Sequence, residues 1–251
     1  MSSERILEVR GLCKTFGGVQ AVSNVDIDLA CGELLALIGP NGAGKSTCFN
    51  MVGGQLRPDR GTIRIAGVDV TGWPPRRIWR LGVGRTFQIT ATLASMTVIE
   101  NVQMALLSHQ GRTDSLIGRA GNMLVNEARA LLDEVGMSGQ ADRACGVLAY
   151  GDVKRVELAV ALANAPRLLL MDEPTAGMAP RERLELMAMT AELCRERRIG
   201  VLFTEHDMDV VFNHADRIMV LARGELIAEG TPETVRADRR VQEIYLGSES
   251  G

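Results

Sequence analysis

The segment from Gly39 to Thr47 reads GPNGAGKST and follows directly after the apolar run LLALI at residues 34–38. It fits the pattern G-x-x-x-x-G-K-[ST] between a buried strand and a helical stretch, which is the structural context that this pattern needs. The glycines let backbone N–H groups turn inward around phosphates, Lys45 reaches the terminal phosphates, and Ser46 offers a hydroxyl to Mg²⁺. The predicted phosphate-binding residues are Gly39, Pro40, Asn41, Gly42, Ala43, Gly44, Lys45, Ser46 and Thr47.

Three unbroken apolar runs indicate the centre of a parallel sheet: LLALI at 34–38, LLLM at 168–171 and VLF at 201–203. Strands that are covered by helices on both faces read in this way. Each run ends in polar residues, and ligands gather at the carboxyl ends of strands in such sheets. The three ends therefore predict three walls of one site.

The carboxylates after the second run and the histidine after the third are the candidate catalytic residues. Asp172 ends a predicted buried strand, where it could hold Mg²⁺ directly or through water. Glu173 follows it and is the candidate base that orients and deprotonates water. His206 could reach the terminal phosphate of the same nucleotide, whereas His109 and His214 are interpreted as structural residues.

Alternating patterns at 25–29 and 62–65 indicate antiparallel edge strands, and the segment between Gln88 and about Ala163 loses strand signals in favour of helical ones. A helix is expected from about Arg181 to Arg198, with Leu184, Met187, Ala188, Ala191 and Cys194 on its buried face. Residues 218–230 predict a hairpin around Arg223 and Gly224, with Thr231 capping the next helix. The fold class is therefore α/β: a mostly parallel P-loop NTPase core, an antiparallel β subdomain and an inserted α-helical subdomain.

The predicted organisation has three parts. Residues 1–88 and 164–230 are predicted to form the P-loop core with the antiparallel β subdomain, residues 89–163 the inserted helical subdomain, and residues 231–251 a C-terminal helix and tail. The 251 residues, of which 46% are hydrophobic and 24% charged, are sufficient for one large domain with an insertion.

Charge and apolar pattern disfavour several classes of function. The net charge of −3 gives no basic field of the kind that nucleic-acid binders carry, so no nucleic-acid partner is expected. No apolar run approaches the ~20 residues that span a bilayer, which predicts a soluble chain. Five cysteines without a C-x-x-C pair argue against a zinc site and a disulfide framework.

The ordered motifs resemble the nucleotide-binding subunits of ABC transporters, from about Leu7 to Gly247. GPNGAGKST resembles the Walker A loop, GRTFQ ending at Gln88 the Q-loop, LAYGD at 148–152 the LSGGQ signature, LLLMDEP Walker B, AGMAP the D-loop, and His206 the switch histidine. The runs FGGVQAV, MTVIENV, TAGMAP and EHDMDVV are similar to the subunits of branched-chain amino-acid importers.

The resemblance implies ATP and Mg²⁺ as cofactors and adds site residues. Phe16 would stack on adenine, and Gln88 would touch the Mg²⁺ site, together with the metal ligands Ser46 and Asp172. Ala149, Tyr150 and Gly151 would present a helix N-terminus to the ATP of a second subunit, while Lys45, Glu173 and His206 would serve hydrolysis.

The resemblance also implies partners and a location. Two ATPase subunits, either two copies of this chain or this chain and a sister, would close head to tail. They would drive two integral membrane permease subunits at the cytoplasmic face of the inner membrane, and a periplasmic solute-binding protein would deliver the solute.

Two positions depart from the family pattern. Asp152 stands where Gln is usual, and Ala179 replaces the usual Asp of the D-loop. A carboxylate is favourable at a helix N-terminus, so Asp152 is interpreted as a cap, but competition with the partner's phosphate stays open. The change at Ala179 leaves the cross-talk between the two sites open.

Other functions remain as alternatives. Another ABC system, for lipid or lipopolysaccharide export or for uptake of an amide- or urea-like solute, would differ in its membrane partner. A soluble P-loop NTPase that acts on nucleic acid, or a GTPase switch, is disfavoured because no lysine begins an NKxD motif and no basic stripe is present.

Overall fold

The computed structural model describes residues 4–86, 92–109 and 124–246. Its central sheet has six strands in the order β10, β9, β3, β8, β7, β6. These strands are β3 (Leu34–Ile38), β6 (Val83–Thr86), β7 (Leu168–Asp172), β8 (Gly200–Thr204), β9 (Arg217–Ala222) and β10 (Glu225–Gly230). All neighbours are parallel except β9 and β10. The predicted parallel centre of β3, β7 and β8 is confirmed.

Alternate residues of these strands enter two separate cores. Leu34, Ala36 and Ile38 of β3 belong to a cluster on the helical face of the sheet. Leu35 and Leu37 belong to a second cluster, on the opposite face. Burying one such side chain contributes about 1.5–3 kcal/mol, so both faces hold the strand ends at fixed positions.

A second, four-stranded antiparallel sheet covers the face that Leu35 and Leu37 enter. It runs in the order β2 (Val19–Ala30), β1 (Arg5–Phe16), β4 (Arg60–Ile65), β5 (Val68–Asp69). The prediction that residues 25–29 and 62–65 are antiparallel is confirmed, but they are not both edge strands, because β4 lies between β1 and β5. An alternating pattern reports a half-buried face and does not distinguish an edge strand from an inner one.

The described residues also form α-helices. They are α1 (Lys45–Val52), α2 (Pro75–Trp79), α3 (Val98–His109), α4 (Val125–Glu134), α5 (Tyr150–Leu162), α6 (Pro180–Glu196), α7 (Met208–His214), α8 (Pro232–Ala237) and α9 (Arg239–Leu246). α3, α4 and α5, which follow β6 and precede β7 in the chain, pack on one another. No helix in the described ranges is both long and apolar enough to cross a bilayer. The assignment of these elements to subdomains stays a prediction, and residues 247–251 of the tail lie outside the described ranges.

The buried face of α6 differs from the predicted one. Met187, Ala191 and Cys194 are buried as expected, but Leu184 and Ala188 are exposed. Leu186, Thr190 and Leu193 complete the buried face instead. The helix begins at Pro180 rather than Arg181.

The C-terminal hairpin and helix cap agree with the sequence. β9 and β10 are joined by Arg223 and Gly224, whose φ angles of 50° and 82° are those of a two-residue turn that suits the twist of a hairpin. The Thr231 hydroxyl accepts a hydrogen bond from the Thr234 amide at the start of α8. All five cysteines are free thiols.

Candidate functional site: a phosphate-binding loop facing an acidic strand end

The loop between β3 and α1 requires glycine at two positions. Gly39 has φ 150°, and a Cβ there would lie 2.1 Å from the Leu221 carbonyl oxygen. Gly44 has φ 103°, and a Cβ there would lie 2.4 Å from the Ala21 carbonyl oxygen. No side chain fits at either position, so the loop keeps its close contact with β9 and β2 only because both residues are glycine.

Lys45, the first residue of α1, is buried with only 6% of its surface exposed. Its Nζ donates to the carbonyl oxygens of Gly39 at 2.7 Å and Pro40 at 3.1 Å. Burial lowers the pKa of Lys45, while the charges of Glu173 and Asp172 act in the opposite direction. The ammonium is thus held inside the loop by two carbonyl oxygens, and Lys45 lines the cavity into which the loop opens.

The loop opens into a cavity of 320 Å³. Besides Ala21, its lining comprises Asn41, Gly42, Ala43, Gly44, Lys45, Ser46 and Thr47 of the loop, together with Glu173 and His206. The structure therefore brings the predicted phosphate loop together with both candidate hydrolytic residues. Two larger cavities, of 680 and 490 Å³, contain none of Lys45, Glu173 and His206 in their linings.

Asp172 lies at the carboxyl end of β7, opposite Thr204 of β8 in the parallel register. Its Oδ1 accepts a hydrogen bond of 2.7 Å from the Thr204 hydroxyl. Its Oδ2 lies 4.0 Å from the guanidinium of Arg85, which β6 contributes from the other side. The carboxylate is thus oriented from both neighbouring strands and is partly exposed, although Asp172 is not among the residues that line the cavity.

Glu173 follows Asp172 in a left-handed backbone conformation, with φ 49°. Its amide donates to the carbonyl and to the hydroxyl oxygen of Thr204, at 3.1 Å each. Its Oε1 lies 2.8 Å from Nε2 of His206, whose side chain is half exposed. A non-glycine residue with positive φ costs about 1–3 kcal/mol, which the bonds to Thr204 offset.

Phe16 lies at the end of β1, with 45% of its surface exposed. The Lys14 ammonium is 5.5 Å from the centre of its ring. Phe16 is not part of the cavity lining. Its predicted contact with adenine stays a prediction, and Gln88 lies outside the described residues.

The signature segment begins α5, and none of its residues lines the chain's own cavity. Ala149 is the N-cap residue and has no side-chain acceptor, Tyr150 is 47% exposed, and Gly151 is buried. Asp152 lies in the first turn, and its carboxylate makes no hydrogen bond with any described residue. The interpretation of Asp152 as a hydrogen-bonding cap therefore has no support, although its charge still suits the helix N-terminus.

The two remaining histidines lie outside the site. His109 ends α3, and its ring lies nearly perpendicular to the Trp79 ring, with 6.0 Å between the ring centres. His214 ends α7, where burial, followed by the charge of Arg195, lowers its pKa. Both positions agree with the structural interpretation from the sequence.

Four residues of the site were not recognised from the sequence: Arg85, Thr175, Thr204 and Glu205. The sequence pattern marks Thr204 and Glu205 only as polar residues that follow an apolar strand. Their partners lie about 30 residues away in sequence, and only the register of β7 and β8 shows that they meet.

Comparison with known families identifies this arrangement. The ABC transporter family matches residues 22–176, well over half of the chain, so the chain belongs to the ATP-binding subunits of ABC transporters and is an ATPase. A second family, described as branched-chain amino acid ATP-binding cassette transporter, matches residues 225–250.

Curated relatives align along nearly the whole chain. The high-affinity branched-chain amino acid transport ATP-binding protein BraF of Pseudomonas aeruginosa is 40% identical and covers 98% of this chain and 99% of its own length. The protein of the same description named LivG in Escherichia coli K12 is also 40% identical, with the same coverage. The resemblance inferred from the motifs is confirmed.

Solved structures confirm the fold. The ADP conformation of an ATP-binding cassette of an ABC transporter superposes with a TM-score of 0.86 at 33% identity, covering 97% of this chain and 99% of its own. A dimeric cassette in a post-hydrolysis state, bound to ADP and phosphate, superposes with a TM-score of 0.75 at 25% identity, covering 90% and 99%.

Proposed function

We propose that this chain is the ATP-hydrolysing subunit of an importer for branched-chain or other hydrophobic amino acids. The observation that supports it best is the 40% identity, over 98% of the chain, to proteins named for high-affinity branched-chain amino acid transport. The C-terminal match at residues 225–250 to a family with the same transport description supports the same cargo.

The nucleotide would bind in the cavity between the phosphate-binding loop (residues 39–47) and the carboxyl ends of β7 and β8. The loop amides and Lys45 would hold the phosphates. Ser46 at the cavity wall and Asp172 at the end of β7 are oxygen donors of the kind that Mg²⁺ prefers, so the residues present fit this ion. When bound, Mg²⁺ would neutralise charge on the phosphate oxygens.

Glu173 would act as the base for hydrolysis. Its carboxylate faces the cavity beside the phosphate loop, where it can accept a proton from an attacking water. His206 contacts the same carboxylate and faces the same cavity, so it would hold Glu173 in place and contact the terminal phosphate. Lys45 would stabilise the charge on the departing phosphate oxygens.

A second ATPase subunit would complete the site. Within a single chain, the cavity is not lined by Ala149, Tyr150 or Gly151. The N-terminus of α5 offers free amides and a positive dipole end that suit a phosphate of a facing subunit. The similarity to a dimeric cassette supports a dimer, formed by two copies or with a sister ATPase, and in our proposal the two subunits pair head to tail.

The proposed location is the cytoplasmic face of the inner membrane, on two integral permease subunits that receive solute from a periplasmic binding protein. The decisive test is purification of the tagged full chain from its native membranes, identification of the co-purified membrane subunits, and reconstitution with candidate binding proteins. We expect leucine, isoleucine or valine to stimulate ATP hydrolysis and to accumulate in vesicles.

Three results would contradict this assignment. Stimulation by an amide or urea-like solute alone would indicate another importer. Co-purification with a lipid or lipopolysaccharide exporter would indicate export, and ATP turnover that depends on nucleic acid would indicate a different class of protein.

A further inference from the structure

A buried carboxylate next to His206 connects the two loops that carry the hydrolytic residues. Glu205 is only 4% exposed. Its Oε1 accepts hydrogen bonds from the amide of Thr175 at 2.9 Å and from the hydroxyl of Thr175 at 2.6 Å. Its Oε2 lies 3.2 Å from the amide of His206, which donates to it.

The chemistry of this contact requires both carboxylate oxygens. Among the described cations, none lies within ion-pair distance of Glu205, so hydrogen bonds alone compensate for the burial of its charge. Burial of a charged carboxylate destabilises the folded state unless the carboxylate is hydrogen-bonded. Hydrogen bonds to a charged acceptor are stronger than those between neutral groups. A glutamine could accept at one oxygen only and would present an N–H₂ group to a donor at the other.

The contact joins the two segments that carry the site residues. Thr175 is two residues after Glu173, and Glu205 directly precedes His206. A second connection runs parallel to it, because Arg183 of α6 donates to the Met178 carbonyl at 2.7 Å and to Oδ2 of Asp207 at 2.5 Å. The turn at 175–178 is therefore attached to the His206 segment at both of its ends.

We infer that Glu205 is a positioning residue, which, through Thr175, holds the loop of Glu173 against the loop of His206 and so sets the rate of ATP hydrolysis. The inference rests on the proposed role of Glu173 as the base. Neither Glu205 nor Thr175 lines the cavity, so we expect neither to contact a nucleotide that is bound there. The expected effect therefore falls on kcat and leaves KM for ATP nearly unchanged.

The test compares four variants of the full chain in the assembled transporter: Thr175→Val, Thr175→Ser, Glu205→Gln and the double variant Thr175→Val with Glu205→Gln. Valine keeps the shape of threonine and removes the hydroxyl donor, whereas serine keeps the donor. We expect Thr175→Val to lower kcat roughly tenfold with KM for ATP within about twofold, because a hydrogen bond to a charged group is lost. Thr175→Ser should restore kcat to within about twofold of wild type.

The double variant tests whether the two side chains act through one contact. We expect it to be no slower than Glu205→Gln by more than about twofold, because residues that act as a unit are not additive. Thermal unfolding of each variant measures the structural cost separately. If Glu205→Gln does not fold, the difference in kcat between Thr175→Val and Thr175→Ser still tests whether the hydrogen bond to Glu205 sets the rate.

Equal kcat for the valine and serine variants would overturn the inference. So would a lower unfolding temperature without any change in kcat, or a loss confined to KM. If the proposed role of Glu173 as the base is wrong, the result is different, because the wild-type protein would then show no ATP turnover that depends on Glu173.

Discussion

Nε2 of His206 lies 2.8 Å from Oε1 of Glu173, although the two residues are 33 positions apart in the chain. The contact exists because β7 and β8 are parallel neighbours in register, with Asp172 opposite Thr204. Each strand then delivers its next residues to the same edge of the sheet. The loop that holds Lys45 leaves β3 on the other side of β8, which places it against the same edge.

Replacement of Glu173 tests its role as the base. Glu173→Gln keeps the size of the side chain and a hydrogen-bond acceptor for His206 but removes the proton acceptor. We expect ATP turnover to fall by a factor of about 10² or more, with ATP binding retained, because a positioned base typically contributes 10²–10⁴. Phosphate release and equilibrium nucleotide binding measure the two effects, and size-exclusion chromatography should show an ATP-dependent dimer.

His206, which contacts Glu173, provides a control for the Glu173→Gln variant. His206→Gln should lower turnover less, since His206 acts beside the carboxylate and not as the proton acceptor. Turnover that falls equally in both variants would assign the base role to the pair, and retained turnover in Glu173→Gln would exclude Glu173 as the base.

Two glycines of the phosphate-binding loop allow a matched pair of substitutions. Gly39→Ala would place a Cβ 2.1 Å from the Leu221 carbonyl oxygen, whereas Gly42→Ala, at φ 78°, meets nothing within 4 Å. We expect Gly42→Ala to lower the free energy of unfolding by about 1 kcal/mol, the cost of a left-handed backbone. Gly39→Ala should cost about 3 kcal/mol or more, because a backbone carbonyl must move.

Thermal unfolding of the nucleotide-free protein distinguishes these outcomes. For a domain of this size, 1 kcal/mol corresponds to about 2–4 °C in Tm. The expected order is wild type, then Gly42→Ala, then Gly39→Ala. Equal losses for the two variants would show that the close approach to Leu221 does not constrain the loop.

The sequence was sufficient to predict those parts of the fold that depend on local pattern. The apolar runs of β3, β7 and β8 identified the parallel centre, because only strands covered on both faces lack alternation. The turn at Arg223 and Gly224 and the cap at Thr231 followed from local backbone preferences. The pattern of GPNGAGKST likewise located Lys45, whose donors lie inside the loop.

Features that depend on contacts between distant segments were missed or misplaced. The alternation of β2 and β4 did not reveal that β1 pairs between them. The buried face of α6 was displaced, since Leu186 and Leu193 pack inward where neighbouring helices and the sheet offer room. Glu205 had no sequence signal as a site residue, because its bonds to Thr175 depend on the pairing of β7 with β8.

The ion pair of Asp207 with Arg183 predicts a pH-dependent stability. Burial by itself raises the pKa of Asp207, but hydrogen bonds from Arg183 and from the amides of Val210 and Asp209 outweigh it, and the pKa is lowered from its usual 3.8. A carboxyl group with a lowered pKa in the folded state stabilises the fold above its unfolded pKa. That contribution is lost as pH falls through the folded pKa.

Asp207→Asn isolates the charge, since asparagine is also a good N-cap residue. We expect a loss of about 0.5–1 kcal/mol in the free energy of unfolding at pH 7, as is usual for a partly exposed ion pair. The difference from wild type should shrink once pH falls below about 4. Urea unfolding from pH 7 to pH 3 measures it, and a difference that stays constant with pH would refute the role of the charge.

Asp152 provides the sharpest test of the proposed dimer. It lies in the first turn of α5 without a hydrogen bond to the described residues, in the segment that would face the phosphate of a second subunit. Asp152→Gln removes a negative charge from that position, so turnover in the assembled transporter should rise roughly threefold to tenfold, as expected for ~1 kcal/mol of relieved repulsion. ATP binding to the isolated chain should not change, because Asp152 does not line the chain's own cavity. Unchanged or lower turnover, with the stability of α5 reduced, would show that the charge serves the helix N-terminus alone.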